Sequence, residues 1–217
     1  TKTLTLGGTN TADNAINGAI ADNGTVSLVK TDVGTWALGG NNTYTGTTTI
    51  TGGTLKLKAT AAASNIIAST GAVTFNANGT TQTAGGTLDF VGQAATSNVE
   101  SLGALTPTAG MSTVKVTPGS GGTASLTFTS LGTVNGAAGV NFVTPNPATN
   151  IITLTGQTAS TATTLPGTGK LYINGADFAR TNAAAQVVTP VYGTDAGFVN
   201  AGASLTATNH NRLSSSI

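Results

Sequence analysis

Residues 33–57 read VGTWALGGNNTYTGTTTITGGTLKL, and this stretch decides the fold. Apolar side chains stand two apart at Trp36/Leu38 and again at Leu55/Leu57. A period of two is that of a strand with one covered face. Each run is only about four to five residues long and is bounded by Gly, Asn or Thr. GTWAL and GTLKL also begin alike. A Gly-Thr corner suits a backbone that turns through φ > 0 and then enters a strand on a β-branched residue.

Working outward, the same Gly-Thr-apolar-x-apolar unit recurs at Gly24 (GTVSL) and Gly86 (GTLDF), with a looser copy at Gly122 (GTASL). Paired apolar positions continue through Leu4/Leu6, Val26/Leu28, Val73/Phe75, Leu88/Phe90, Val114/Val116, Leu126/Phe128, Ile152/Leu154 and Leu171/Ile173. Lys56, Lys58, Asp89 and Lys115 fall on the opposite parity and are expected to point outward, where a charge stays solvated. Asn-Gly pairs at Asn17, Asn23, Asn78, Asn135 and Asn174 mark tight turns. Helical patterning is nearly absent; its best candidate, Ala59–Ile67, is Ala-rich but short.

Short strands with Gly or Asn corners, imperfectly repeated, are what a solenoid requires, because one coil cannot bury its inner face without a neighbour. The reading is therefore all-β, a parallel β-helix or β-solenoid, with a β-sandwich as the alternative. Strand brevity, two-residue inward pairs, and Thr and Asn fit for hydroxyl and amide ladders favour the solenoid.

The 217-residue composition narrows function. Charged residues are 7% of the chain, against roughly a quarter in ordinary soluble domains, while hydrophobic residues are 38%. The net charge of +1 offers no basic stripe for a phosphate backbone, so nucleic acid is not an expected partner. There is no cysteine, which removes disulfides, thiolate metal sites and thiol nucleophiles together. No apolar run reaches the roughly 18 residues of a membrane span. Thr1 is not preceded by a signal peptide, and the expectation is either a removed leader or a longer parent protein.

Residues 33–57 resemble the autotransporter-associated β-strand repeat of large bacterial surface and passenger proteins. The match rests on Gly34, Leu38, Gly40, Asn42, Tyr44, Gly46, Thr48, Ile50, Gly53, Thr54 and Leu55, in order. The preceding NAINGAIADNGTVSLVKTDVG (14–34) looks like the lead-in such repeats carry, and Trp36 departs from the usual small residue. GGTLDF (85–90) with NVESLGAL (98–105) looks like later coils of the family, and 169–195 is similar to a module of long repeat proteins. The resemblance implies a right-handed parallel β-helix, export, and display at the outer surface of a bacterium, with no reaction attached. It divides the chain into a solenoid over 1–130 and, over 131–217, a continuation of it or a small C-terminal β module.

No catalytic, cofactor-binding or metal-binding residue is expected in this chain. His210 lies in the polar tail TATNHNRLSSSI, and Glu100 is the lone Glu to set beside the Asp residues for carboxylate-pair hydrolysis. Asp13, Asp22 and Asp32 are read as turn residues rather than catalytic carboxylates, and a calcium ion among Asp13, Asp22 and loop carbonyls is not expected. Asn23, Asn41 and Asn78 open Asn-x-Thr triplets that are read as turns. Trp36, Tyr44, Tyr172, Phe178 and Tyr192 are weighed as a carbohydrate-stacking strip and read as packing residues, Tyr44 as architectural. The expected function is a structural or adhesive segment, acting as a stiff scaffold or a self-assembling fibre. Its expected partners are copies of itself or other surface and matrix proteins. The alternatives are a glycan- or protein-binding module and, last, a β-helix enzyme acting on polysaccharide.

Overall fold

The computed structural model describes residues 1–61, 63–77, 84–134, 136–157, 170–189, 198–199 and 210–211. The chain winds in coils, each laying a strand on one face and then on a second. The first coil carries β1 (Lys2–Leu6) and β2 (Asp13–Ile16), the second β3 (Val26–Lys30) and β4 (Thr35–Leu38), the third β5 (Thr48–Ile50) and β6 (Thr54–Lys58). The fourth inserts a short β7 (Ala63–Ser64) before β8 (Val73–Asn76) and β9 (Ala84–Val91). The fifth is one long strand, β10 (Ser97–Thr117); β11 (Thr123–Leu131), β12 (Ala138–Val143), β13 (Ile151–Leu154) and β14 (Lys170–Ile173) complete the next two. No helix occurs among the described residues.

Every pairing from β1 to β14 is parallel. Parallel neighbours need a crossover rather than a hairpin, and here the other half of each coil is that crossover. A sandwich of antiparallel hairpins is thereby excluded for this region. β10 serves both faces. Its register slips between Pro107 and Ala109 and again between Met111 and Thr113, and Gly110 between them has φ of 75°, so the strand bends from the first face to the second.

The period-2 pairs make the core. Leu55, Leu57, Leu88, Phe90, Val114, Val116, Leu126 and Phe128 are fully covered, and they stack in register: Leu55 on Leu88 on Val114, Leu57 on Phe90 on Val116. Each such side chain contributes about 1.5–3 kcal/mol of burial, and the stack repeats it coil after coil. Lys56 and Lys58 face out, half-buried and exposed respectively. Asp89 corrects the expectation of a solvated charge. It keeps the outward parity between Leu88 and Phe90, yet it is only 5% exposed. Its register neighbours Lys56 and Lys115 flank it on both sides, Lys115 Nζ lies 3.5 Å away, and the Thr117 hydroxyl donates to it at 2.7 Å. Parity sets a direction; a stacked neighbour can still cover what points that way.

The corner glycines divide by physical reason. Gly53 has φ of 62°, as the Gly-Thr reading expects. Gly34 and Gly46 instead serve close approach of coils: a Cβ on Gly34 would lie 2.5 Å from the Gly8 carbonyl oxygen, and one on Gly46 2.3 Å from that of Val26.

The far end closes differently from the rest. β15 (Asp177–Phe178) runs antiparallel on β14, and β16 (Arg180–Thr181) forms an antiparallel hairpin with β17 (Val187–Val188). That hairpin reaches β13 through an antiparallel Thr153–Gln186 bridge and a Leu154 N–H to Ala185 carbonyl bond of 2.9 Å. A separate parallel pair joins β18 (Phe198–Val199) to β19 (His210–Asn211).

Candidate binding surface

The outer side of the second face gathers much of the charge of a chain that has little. Because successive residues alternate faces, Thr54 and Lys56 of β6 both point out, and their register partners continue the rows. One row runs Asp13, Thr35, Thr54, Thr87, Thr113, Asn141 and Tyr172; the next runs Ala15, Ala37, Lys56, Asp89, Lys115 and Val143. Asp13 accepts from Lys56 Nζ at 2.7 Å and from Lys58 Nζ at 3.3 Å, so its carboxyl is held below the ordinary range, chiefly by the Lys56 bond. Beyond Lys115 the surface opens into a groove of about 580 Å³ along the C-terminal ends of β10, β12 and β14, lined by Lys115, Thr117, Pro118, Val143, Pro145 and Asn174.

The residues weighed as sites do not converge. Asp22 accepts the Val26 N–H at 2.8 Å and both the hydroxyl and the N–H of Thr45, which lowers its pKa, chiefly through the hydroxyl. Asp32 sits at φ of 55° and accepts the Gly8 N–H at 2.8 Å. Both act at turns and also tie one coil to the next, whereas Asp13 forms ion pairs instead. Among the described residues no three of His, Cys, Asp and Glu come together to hold a metal. Among the described residues the aromatic side chains do not form a strip. Tyr44 is fully buried, Trp36 packs on the core while its indole N–H donates to the Gly7 carbonyl at 2.8 Å, and Tyr172 stacks on Phe178 at 5.8 Å at the other end. Tyr192, Asn78 and Asn135 lie outside the described residues. His210 belongs to the β18–β19 pair.

Residues 28–57 form a self-consistent block. Lys30 shares parity with Leu28 and is completely buried; its ammonium donates to the carbonyls of Thr31, Asp32 (3.0 Å) and Gly52 (3.2 Å). Burial lowers its pKa, opposed by nearby Asp32. Asn42 is equally buried: its Oδ1 accepts the Ile20 N–H at 2.7 Å, and its Nδ2 donates to the carbonyls of Gly40 and Ile66, joining corners of neighbouring coils. The Tyr44 hydroxyl bonds Thr48 Oγ1 at 2.7 Å, and burial pushes the phenol up to about 12. The same residues, 28–57, match the model of the passenger-associated-transport-repeat family. The chain carries a passenger-associated transport repeat. In addition, 81 residues are 44% identical to the adhesin BmaC autotransporter of Brucella suis biovar 1 (strain 1330), covering 35% of this chain and 2% of that protein. The chain thus spans a small fraction of this relative's length. No solved structure matches it. A passenger repeat is displayed outside the cell, and the chain is extracellular, at the cell surface. No helix of the described residues is long and apolar enough to cross a membrane.

Within the passenger repeat, Asn42 is therefore a polar fastener between coils, Tyr44 and Thr48 bond each other within one coil, Gly53 sets a corner, and Leu38, Ile50 and Leu55 fill the core. Reading the sequence missed Lys30 and Glu100. Glu100 is fully buried on β10, where its carboxyl accepts the N–H groups of Ile67 at 3.0 Å and Ile66 at 3.3 Å. Burial raises its pKa to about 7 against those two bonds. The signal was parity with Leu102, but Val99 on the other parity reads as the inward residue and is in fact 43% exposed.

Proposed function

We propose that this chain is a non-enzymatic, stiff scaffold segment of an adhesive surface protein, and that it makes contact through the outer side of its second face. The observation that carries this reading is the unbroken parallel ladder from β1 to β14 joined to a passenger repeat. Backbone bonds along the stack axis resist bending and extension without needing charge or disulfides. The similarity to an adhesin passenger supports the adhesive role, and residues 131–217 continue the scaffold in this reading. Against a self-assembling fibre stands the closing of β13 and β14 by antiparallel strands, which head-to-tail stacking would have to displace. Against polysaccharide cleavage stands the dispersal of Asp13, Asp22 and Asp32 onto separate partners.

The test is retention of beads carrying this chain on cell and matrix surfaces under flow. Retention above beads carrying an unrelated protein of equal size is expected, and equal retention would overturn the adhesive role.

A further inference from the structure

The second face's charged row runs directly into the groove. Lys58, Val91 and Thr117 are register partners at the ends of β6, β9 and β10, and Thr117 lines the groove. Two strand spacings separate Lys58 from Thr117, about 9–10 Å, which is on the scale of a disaccharide. The side chains of Lys58 and Lys115 remain 47% and 40% exposed, whereas Asp89 is covered and already engaged. Counting Lys56, Lys58 and Lys115 against Asp13 and Asp89, three minus two, leaves +1 on this strip. The groove floor beyond it is hydrocarbon, from Pro118, Val143 and Pro145.

We propose that this strip binds a linear acidic polysaccharide lying along the solenoid axis, its carboxylates on Lys58 and Lys115 and its sugar faces on Val143, Pro118 and Pro145. This deepens the adhesive reading and rests on it. An extended acidic peptide fits less well, because peptides commonly bind by adding a strand, and the N–H and C=O groups of β6, β9 and β10 are already spent within the ladder. The hydroxyl row Thr54, Thr87 and Thr113 and the Asn174 amide suit a ligand rich in hydroxyls. A stiff polymer also loses little conformational entropy on binding.

The experiment measures fluorescence anisotropy of a labelled oligogalacturonate with the full chain, beside its carboxyl-reduced neutral analogue and polyglutamate. Binding of the uronate is expected, weakened at least tenfold by Lys58→Gln and in ~1 M salt, where the Debye length is about 3 Å. Pro145→Ser should weaken it about threefold, a loss expected from removing part of an apolar contact. Lys2→Gln, on distant β1, should leave it unchanged. Equal binding of polyglutamate or of the neutral analogue, or an equal loss with Lys2→Gln, would overturn the proposal. Absence of uronate binding while coated beads are still retained would sink this ligand and leave the adhesive reading standing. Uronate binding without bead retention would keep the groove's ligand and remove the adhesive role.

Discussion

The two ends of this solenoid are built on different plans. In the first coils the core is thinly covered: Leu4, Ile16, Ile20, Val26 and Trp36 pack on it but stay partly exposed. At the other end Leu154, Leu171 and Ile173 are buried, an antiparallel strand pairs with the end of β14, and one antiparallel bridge and a Leu154 N–H bond hold a hairpin on β13. The same inward pairs therefore yield different stabilisation according to what lies beyond them. A coil has no fixed stability of its own; it takes most of it from its neighbours.

The corners offer the largest test of that difference. Gly53 and Gly8 both have positive φ, 62° and 100°, but a Cβ on Gly53 would meet the Asp32 and Gly34 carbonyl oxygens at 2.3 and 2.4 Å, while Gly8 has nothing within 4 Å. Gly53→Val should cost on the order of 4 kcal/mol or more, from strain plus backbone displacement. Gly8→Val should cost about 1–3 kcal/mol, from strain alone. Urea midpoints at unchanged m-value compare them, and similar losses would erase the distinction between packed and open corners.

Core truncation comes next. Leu57→Ala removes a fully buried side chain from mid-stack and should cost about 2–5 kcal/mol, whereas Leu4→Ala, half-covered in the first coil, should cost about 1 kcal/mol. If thermal melts place the two together, the first coil is better covered than described.

Glu100 gives the stack's middle a pH signature. The folded state holds its proton up to about 7, the unfolded chain only up to about 4.5, so between those values folding takes up a proton. Stability therefore rises as pH falls through that window and is lower above it, by at most on the order of 3 kcal/mol. Glu100→Gln should flatten this dependence. A wild-type melting temperature that does not change between pH 4.5 and 8 would contradict the assignment. The smallest effect belongs to the surface: Lys58→Gln, at an exposed ion pair, should alter stability by less than about 0.5 kcal/mol.

Much of this was legible in the sequence, for a reason visible in particular residues. Leu55/Leu57 and Leu88/Phe90 announce strands, and the recurrence of Gly-Thr before them announces stacking. Asn42 and Tyr44 were recognisable as repeat positions, but the buried hydrogen bonds of Asn42 were not, since its partners Ile20 and Ile66 lie in other coils. Asp89 was misread, and the burial of Glu100 went unread. One points outward and is covered by Lys115; the other is a carboxyl on the inner parity, beside a valine that faces water. The groove at β10, β12 and β14 had no local signature, because its lining comes from separate coils that only the register brings together.

Native-state hydrogen exchange tests most directly whether the solenoid is one continuous parallel stack, thin at its start and closed at its finish. Amides of β6, β9 and β10 should exchange only at the rate of global unfolding, those of β14 nearly as slowly, and those of β1 and β2 faster by opening of the first coil. Protection of β1 equal to that of β6, or fast exchange in β14, would contradict the account.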